Sequence, residues 1–364
     1  MSKIKIGPYD ESIYEDFGEQ PSALEIQLGY SLLPIAEENQ ENNVLSEITK
    51  CRNQVDSEYG LQLPPVRIRD NVLLEPSEYR ILLHGTEVAH FKGLLLGQYM
   101  CLDTGDVSEV LSGDFIQVKD PAFGIEGFII DESKKDEAVA RGYSCSNIQN
   151  VIRVHLFEII KEHITEFLNQ SMVNTLINKV RPSNPDVIDN IFFEKGFQTS
   201  NMKKILNLLL EEHVSIKDMN TILETIADNI DKTEEPLALA EKIRQKKANQ
   251  ILSKLADTDK TVHVIFVSKG LSCSLFDKVI AYDDGIHEHL DLAPIERKEL
   301  TEKTSEIVKE MISKELTPVF LCESKLRKSF ADYLSNFYDA HCISDLEALA
   351  AEKVFNIKIE GELL

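Results

Sequence analysis

The sequence lacks the features of a membrane-spanning protein and of a disulfide-stapled secreted protein. No apolar run among its 364 residues approaches the roughly 18 residues of a transmembrane helix. The first twenty residues lack the apolar core of a signal peptide. Cysteines are few, and none lies in a CxxC pair or at a zinc-ligand spacing: they are Cys51, Cys101, Cys145, Cys273, Cys322 and Cys342. We therefore expect reduced thiols, most of them buried, in a cytosol-like compartment.

Positive charge is also scarce. The chain carries 39 Lys and Arg residues against 62 Asp and Glu residues, for a net charge of −23. Such a field repels phosphate backbones and anionic lipid surfaces, so neither nucleic acid nor direct electrostatic binding to a membrane is expected. Two interpretations stay open. The charge could simply make the molecules of an intracellular protein repel one another, or it could form a surface that binds basic or apolar protein partners.

The composition is that of a globular protein, and the length predicts two to four domains. Residues 1–21 are polar and acidic and are predicted to form a linker. Alternating apolar residues predict a strand within 24–34, and a polar turn is predicted at 37–43. Helical spacing from Leu45 onward, with Gly60 as C-terminal cap, predicts a helix. Further strands are predicted at 66–68 and 79–83, so an α/β domain opens the chain.

The later segments change character three times. Glycines punctuate short apolar pieces between about 88 and 147, which predicts a small α+β unit. A strong apolar stripe then predicts a helix over 148–168. Helices predominate up to residue 250, including one predicted to begin with a capping-box-like pair, Ser215 and Asp218. Finally, strands at 262–267 and 317–322 flank a helix at 294–315, and further strands at 339–342 and 354–359 predict a closing α/β domain.

No segment carries a recognisable catalytic or cofactor motif. His287 and His289 form an HxH pair beside Asp283 and Asp284, but no third ligand is apparent and Gly285 indicates an exposed polar loop. The segment VSKGL at 267–271 follows a predicted strand, but one glycine cannot free enough backbone amides for a phosphate loop. Nucleophile-elbow, HExxH and catalytic-cysteine signatures are absent from the sequence. We predict no metal, no cofactor and no enzyme activity.

One short segment is unusual for its chemistry. Residues 119–124, KDPAFG, place a carboxylate, a rigid proline and an aromatic ring in a glycine-rich region. Because proline restricts its own backbone and that of the residue before it, the segment could present Phe123 on a surface. The residues alone favour the alternative that Phe123 fills the core of the small α+β unit.

Several segments, taken together and in order, resemble the type III secretion export-gate family, in its cytoplasmic domain. They are GYSLLP at 29–34, PPVRIRDN at 64–71, YRIL at 79–82, DPAFG at 120–124, GY at 142–143, HL at 155–156 and VSIKDMNTILE at 214–224. Beyond about residue 255 the resemblance is weaker and rests on the αβ pattern and Leu326-Arg327. One short motif would be weak evidence, whereas seven in the family's order are strong.

The resemblance implies a multi-domain α/β architecture of four subdomains. The first, α/β in class, covers 22–95 and 148–167, and the second is an α+β (ferredoxin-like) insertion at 96–147. The third, at 168–250, is all-helical, and the fourth, at 251–364, is α/β. A membrane domain precedes this part in family members, which places it at the cytoplasmic face of the bacterial inner membrane.

The resemblance also implies partners. Cytoplasmic domains of this family form nonameric rings below the membrane pore, receive chaperone–effector complexes and help to order the secreted proteins. Gatekeeper and other export-apparatus proteins are further expected partners. Membrane attachment would come only through the preceding domain.

A docking site follows residue by residue from the family's flagellar branch. There, chaperones contact the Asp and Phe of the DPAF motif and a Thr directly before the HL pair. The matching positions are Asp120, Phe123 and Val154. Valine removes the hydroxyl, and with it a hydrogen bond, at nearly constant size. The resemblance thus implies an aromatic anchor at Phe123, and Val154 favours the injectisome branch over the flagellar one.

Two alternatives come from other classes. An α/β enzyme with a nucleotide or metal cofactor would rest on the α/β pattern and the HxH pair alone. A passive spacer in the secretion base cannot be separated from a docking platform by sequence.

Overall fold

A computed structural model describes residues 22–37, 43–282, 284 and 286–364, and the chain divides into two units, 1–167 and 168–364. The predicted linker at 1–21 and most of the predicted turn at 37–43 lie outside the described residues. Within the described part, no helix is long and apolar enough to cross a bilayer.

The first unit opens with a four-stranded sheet and two helices. Its elements are β1 (Leu24–Leu28), α1 (Val44–Tyr59), β2 (Arg67–Asp70), β3 (Tyr79–Leu83), β4 (Thr86–Phe91) and, after the second sheet, α3 (Ile148–Glu162). The strand order is β2-β1-β3-β4, in which β1 pairs parallel with β2 and antiparallel with β3. α1 forms the crossover that a parallel pair requires, and it packs against α3.

The ends of these elements follow from local chemistry. The Asn43 side chain accepts a hydrogen bond from Ser46 N and so begins α1, and Gly60 ends it in the left-handed conformation, as predicted. The strand predicted within 24–34 stops at Leu28, because residues 30–36 turn into a 3-10 helix. The helix predicted over 148–168 ends at Glu162 and is followed by a short 3-10 turn at 164–167.

Gly29 joins β1 to that 3-10 helix at a point where two backbones meet. Its N–H donates to the Glu78 carbonyl at 2.8 Å, and Ser31 N–H donates to the Pro76 carbonyl at 2.9 Å. A Cβ at position 29 would lie 2.1 Å from the Glu75 carbonyl oxygen. Only glycine therefore fits here, which gives the GYSLLP motif a structural reason.

Gly29→Ala should destabilise the protein by about 1–3 kcal/mol, because the added methyl group must push the 75–78 backbone away. Chemical unfolding followed by circular dichroism measures this. The matched control is Gly270→Ala in the helix Lys269–Phe276, where nothing lies within 4 Å of the added Cβ. That change should be neutral or stabilising by up to about 1 kcal/mol. Equal stability of the two variants would contradict the close-approach explanation.

The first unit contains a second, antiparallel sheet. Its elements are β5 (Gln98–Leu102), β6 (Ile116–Lys119), β7 (Glu126–Asp131), α2 (Lys135–Ala140) and β8 (Ser144–Ser146). The strand order is β6-β7-β5-β8, the order of a βαββαβ, ferredoxin-like unit. The β5–β6 connection, 103–115, contains no helix. Phe115, Phe128 and Tyr143 stack in the core on one face of this sheet.

The cysteine prediction needs a correction in this sheet. Cys101 on β5 stands directly opposite Cys145 on β8, with 4.3 Å between their Cα atoms, and the two form a disulfide. The expectation of six reduced thiols is therefore wrong for this pair. The two cysteines are 44 positions apart in sequence, and only the strand register brings them together. The other four cysteines are free, and three of those are buried.

The second unit begins with a bundle of helices. They are α4 (Gln170–Val180), α5 (Pro185–Asp189), α6 (Thr199–Glu211), α7 (Met219–Asn229), α8 (Pro236–Lys246) and α9 (Ala248–Leu255). One predicted start is corrected. Asp218, not Ser215, is the N-cap of α7, since its carboxylate accepts from both the N–H and the hydroxyl of Thr221.

An α/β part follows in the same unit. Its elements are β9 (Thr261–Val267), α10 (Lys269–Phe276), β10 (Val279–Ala281), β11 (Glu288–Leu290), α11 (Pro294–Ser313), β12 (Val319–Cys322), α12 (Arg327–Ser335), β13 (His341–Ser344), α13 (Asp345–Ala351) and β14 (Asn356–Leu363). Four strands form a parallel sheet in the order β13-β12-β9-β14, with a separate cluster of buried apolar residues on each side. The mixed α/β organisation is thus confirmed, whereas the division into four subdomains stays a prediction.

Candidate functional site

The turn between β6 and β7 carries two of the three predicted site residues. Asp120 N–H donates to the Ile125 carbonyl at 2.8 Å, and Gly124 N–H donates to the Asp120 carbonyl at 2.9 Å. Gly124 has a φ of +69°, which favours glycine, so the motif's last residue closes the turn. The sequence DPAFG thereby forms a compact turn, with the four residues 121–124 between the paired Asp120 and Ile125.

The Asp120 carboxylate is directed into its own turn. Its Oδ2 accepts from Phe123 N–H at 2.7 Å and from Ala122 N–H at 3.1 Å, and the residue is only 6% exposed. A buried acceptor of this kind fixes the loop and leaves little surface for a partner. Asp120 is thus a positioning residue for Phe123.

Phe123 is exposed. Its side chain is 59% accessible, and the core of this sheet is filled by other aromatic residues. The expectation drawn from the residues alone, that Phe123 fills the core, is wrong, and the placement implied by the resemblance agrees with the structure. The exposed Ile125 directly follows this turn, whereas the exposed Ile116 begins β6, at the other end of that strand.

Val154 is partly buried on α3, beside a buried polar pair. Its neighbour His155 is 4% exposed, and His155 Nδ1 lies 2.9 Å from the hydroxyl of the fully buried Tyr79 on β3. Burial, reinforced by the charge of His90, lowers the pKa of His155 to about 4, so the imidazole is neutral near pH 7.

Tyr79 connects the two parts of the candidate site. Burial first, and then the negative charge of Asp120, hold the pKa of Tyr79 well above its ordinary value. Tyr79 in turn contacts His155, the residue that follows Val154 on α3. Sequence reasoning missed Tyr79 as part of this arrangement, although it begins the YRIL segment of the resemblance.

The histidine pair at 287 and 289 does not form a metal site in the described residues. His287 Nδ1 lies 2.5 Å from Asp284 Oδ2, whereas the His289 ring packs against Tyr282 with 5.1 Å between ring centroids. Asp283 and Gly285 lie outside the described residues. Across the described ranges, no group of three His, Cys, Asp or Glu side chains is placed to bind a metal ion.

A shallow groove of about 490 Å³ lies in the second unit. It is lined by Leu292, Pro294, Arg297, Lys298, Thr301, Glu302 and Phe337. This lining contains no histidine, no cysteine and no pair of carboxylates.

A second cluster that sequence reasoning missed is a buried ion-pair network. Arg327 at the start of α12 is 1% exposed, and it donates to the carboxylates of Glu212 and Glu241. Arg244 lies 3.1 Å from Glu212 and 2.9 Å from the fully buried Glu347. Burial would raise the pKa of Glu212, but Arg244 and Arg327 outweigh that effect and lower it to about 2.

Known proteins are similar to this chain over most of its length. A family profile described as the FHIPEP family matches residues 8–352. Flagellar biosynthesis protein FlhA of Bacillus subtilis is 31% identical over 316 residues, which are 86% of this chain and 46% of that protein. FlhA of Borreliella burgdorferi is 28% identical, over 89% of this chain and 46% of that protein. The chain thus spans about half the length of the curated relatives it matches.

Solved structures share the fold. The CdsV protein of Chlamydia pneumoniae superimposes with a TM-score of 0.80 at 20% identity, over 96% of this chain and 100% of that chain. A nonameric SctV-C from EPEC superimposes with a TM-score of 0.72 at 18% identity, also over 96% and 100%. At these identities the likeness shows the fold alone.

Proposed function

The chain belongs to the FHIPEP family, the export gates of type III secretion, and from this premise we propose that it is the cytoplasmic docking platform of such a gate. The exposed Phe123, held out by the buried Asp120 carboxylate, is the single observation that carries the docking role. Chaperone–cargo complexes are the proposed ligands, and ordering of secreted proteins would follow from differences in their affinity. The whole protein would be anchored in the bacterial inner membrane.

The chemistry of the site suits protein binding. Desolvated aromatic residues commonly dominate interface energies, and a ring fixed by a short loop loses little conformational entropy on binding. The net charge of −23 favours a partner surface that is basic or apolar. We assign no catalytic role to this chain.

Phe123→Ala should weaken chaperone binding about 30-fold, which corresponds to about 2 kcal/mol for loss of an aromatic anchor. Isothermal titration calorimetry measures this change in affinity. The ligands are purified secretion chaperones from the same bacterium, each alone and bound to its cargo. Because the ring is exposed, unfolding should shift by less than about 0.5 kcal/mol.

The matched control for this experiment is Phe193→Ala. Phe193 is 72% exposed and lies in the second unit. Phe193→Ala removes an exposed phenyl ring far along the chain from Phe123 and should leave the affinity for the chaperone unchanged. If Phe123→Ala binds as tightly as the wild type, the docking site lies elsewhere.

We also propose a nonameric ring, by likeness to the nonameric SctV-C. Electron microscopy and native mass spectrometry over a wide concentration range test this. Particles that stay monomeric even at high concentration, with the membrane domain present, would contradict ring assembly.

The branch of the family stays a prediction. The injectisome assignment rests on Val154 alone, and the curated relatives reported above are flagellar. The cargo captured by the intact gate decides between the branches: flagellar subunits would overturn the injectisome assignment. A nucleotide- or metal-dependent enzyme remains the alternative class, tested by elemental analysis and a thermal-shift screen with nucleotides.

A further inference from the structure

The outer edge of β6 offers unpaired backbone groups beside Phe123. β6 is the end strand of its sheet, and among the described strands only β7 pairs with it. Asp120 N–H donates to Ile125, so this opposed pair is a hydrogen-bonded one. Because such pairs alternate in an antiparallel ladder, Val118 and Ile116 also bond toward β7. Gln117 and Lys119 therefore direct their N–H and C=O groups to the open edge.

The other edge strands in the described part have features that hinder pairing with an additional strand, and β6 lacks these features. The pairings of β14 and of β4 each contain a register shift, which bends a strand away from further pairing. β2 has three charged residues among four, and β13 is largely buried. β8, β10 and β11 have only three residues each. β6, with the sequence IQVK, keeps a regular register and has one charge, at its end.

An apolar surface continues to this open edge. Ile116 is 64% exposed and stands opposite Ile129, which in turn stands opposite Met100. Ile129 and Met100 are buried, and Ile116 extends their face outward. Val118 lies on the same face two residues further on. A strand added here would bury apolar side chains at alternate positions against Ile116 and Val118.

We propose that chaperone–cargo complexes bind by adding an extended segment to β6, with Phe123 as the adjoining anchor. This deepens the proposed function and rests on it. Pairing through the backbone gives affinity without demanding one sequence, while alternate side-chain contacts add preference. That suits a platform that must receive several different cargoes. The partner segment should alternate apolar residues and carry neutral or basic ones between them, since the chain's net charge is −23.

Gln117→Pro tests the pairing directly. Proline removes the outward N–H of residue 117, and edge strands tolerate proline where that group faces solvent. We expect about tenfold weaker binding of the chaperone–cargo complex that the wild type binds, from one lost hydrogen bond and the hindered approach of the added strand. Gln117→Ala keeps the N–H and should bind within about twofold of the wild type.

Hydrogen–deuterium exchange of the wild-type complex provides a second measurement that needs no variant. The amides of Gln117 and Lys119 should become protected on binding, and this result together with the loss in Gln117→Pro supports the proposal. If Phe123→Ala weakens binding while these amides exchange freely in the complex, the docking role of Phe123 is supported and strand addition to β6 is overturned. A dimer of this chain that Gln117→Pro abolishes would show that a second copy is the occupant, which also overturns it. If the wild type binds no chaperone, the proposed function fails, and this inference with it.

Discussion

Replacing Arg327 by methionine should lower the free energy of unfolding of the second unit by about 3–5 kcal/mol, the cost of leaving buried charges unpaired. The guanidinium is fully enclosed, with Nη2 2.9 Å from Glu212 Oε1 and Nε 2.9 Å from Glu241 Oε2. Methionine fills similar space but provides no donor. Glu241 would lose the guanidinium that neutralises it, and Glu212 would keep Arg244 as its nearest cation.

The network joins parts of the chain that are far apart in sequence. Arg327 begins α12 of the α/β part, Glu212 follows α6, and Glu241 lies on α8. Breaking these contacts should therefore loosen the helical part from the α/β part within the second unit. Urea unfolding followed by far-ultraviolet circular dichroism measures the loss.

Arg181→Met is the matched control for this prediction. Arg181 pairs with Asp189 at 2.9 Å, but both side chains are substantially exposed. Such surface pairs contribute about 0–1 kcal/mol. If Arg327→Met costs no more than Arg181→Met, the buried network does not stabilise the unit.

Acidification from pH 6.5 to 4 should destabilise the first unit by about 3 kcal/mol through His155 alone. Burial, aided by His90, lowers the pKa of this imidazole from 6.5 to about 4 in the folded protein. The unfolded chain takes up a proton near pH 6.5, whereas the folded chain resists it. The stability is therefore fully present above pH 6.5 and falls as the pH drops toward 4.

His155→Gln isolates this contribution from that of the carboxylates. Glutamine does not titrate, and it can still hydrogen-bond to the Tyr79 hydroxyl. The difference in unfolding free energy between wild type and His155→Gln should change by about 3 kcal/mol between pH 7 and pH 4. If the difference in unfolding free energy between wild type and His155→Gln does not vary with pH, burial does not hold His155 neutral.

Local patterns predicted much of the fold. The C-terminal cap of α1 at Gly60, the alternation in β1 and the apolar stripe of α3 all depend on residues within a few positions of one another. Such interactions are visible in the sequence because they repeat at fixed spacing. Predictions failed where a local signal had two interpretations, as at Ser215 and Asp218.

The candidate site was predictable only in part. The DPAF segment is unusual in sequence, and the family resemblance drew attention to it. The direction of each side chain was not predictable, because Asp120 and Phe123 occupy one short loop that could turn either way. The hydrogen bonds from Ala122 and Phe123 N–H decide that the acid turns inward and the ring outward.

The sequence by itself determined the family, the acidic character and the positions of most helices and strands, because these depend on composition and short-range periodicity. Tertiary structure alone decided the Cys101–Cys145 pairing, the Tyr79–His155 contact, the enclosure of Arg327 and the open edge of β6. Each of these joins residues or strands through sheet register or packing. Such contacts leave no local pattern, since many different spacings in the chain can bring two side chains to the same place.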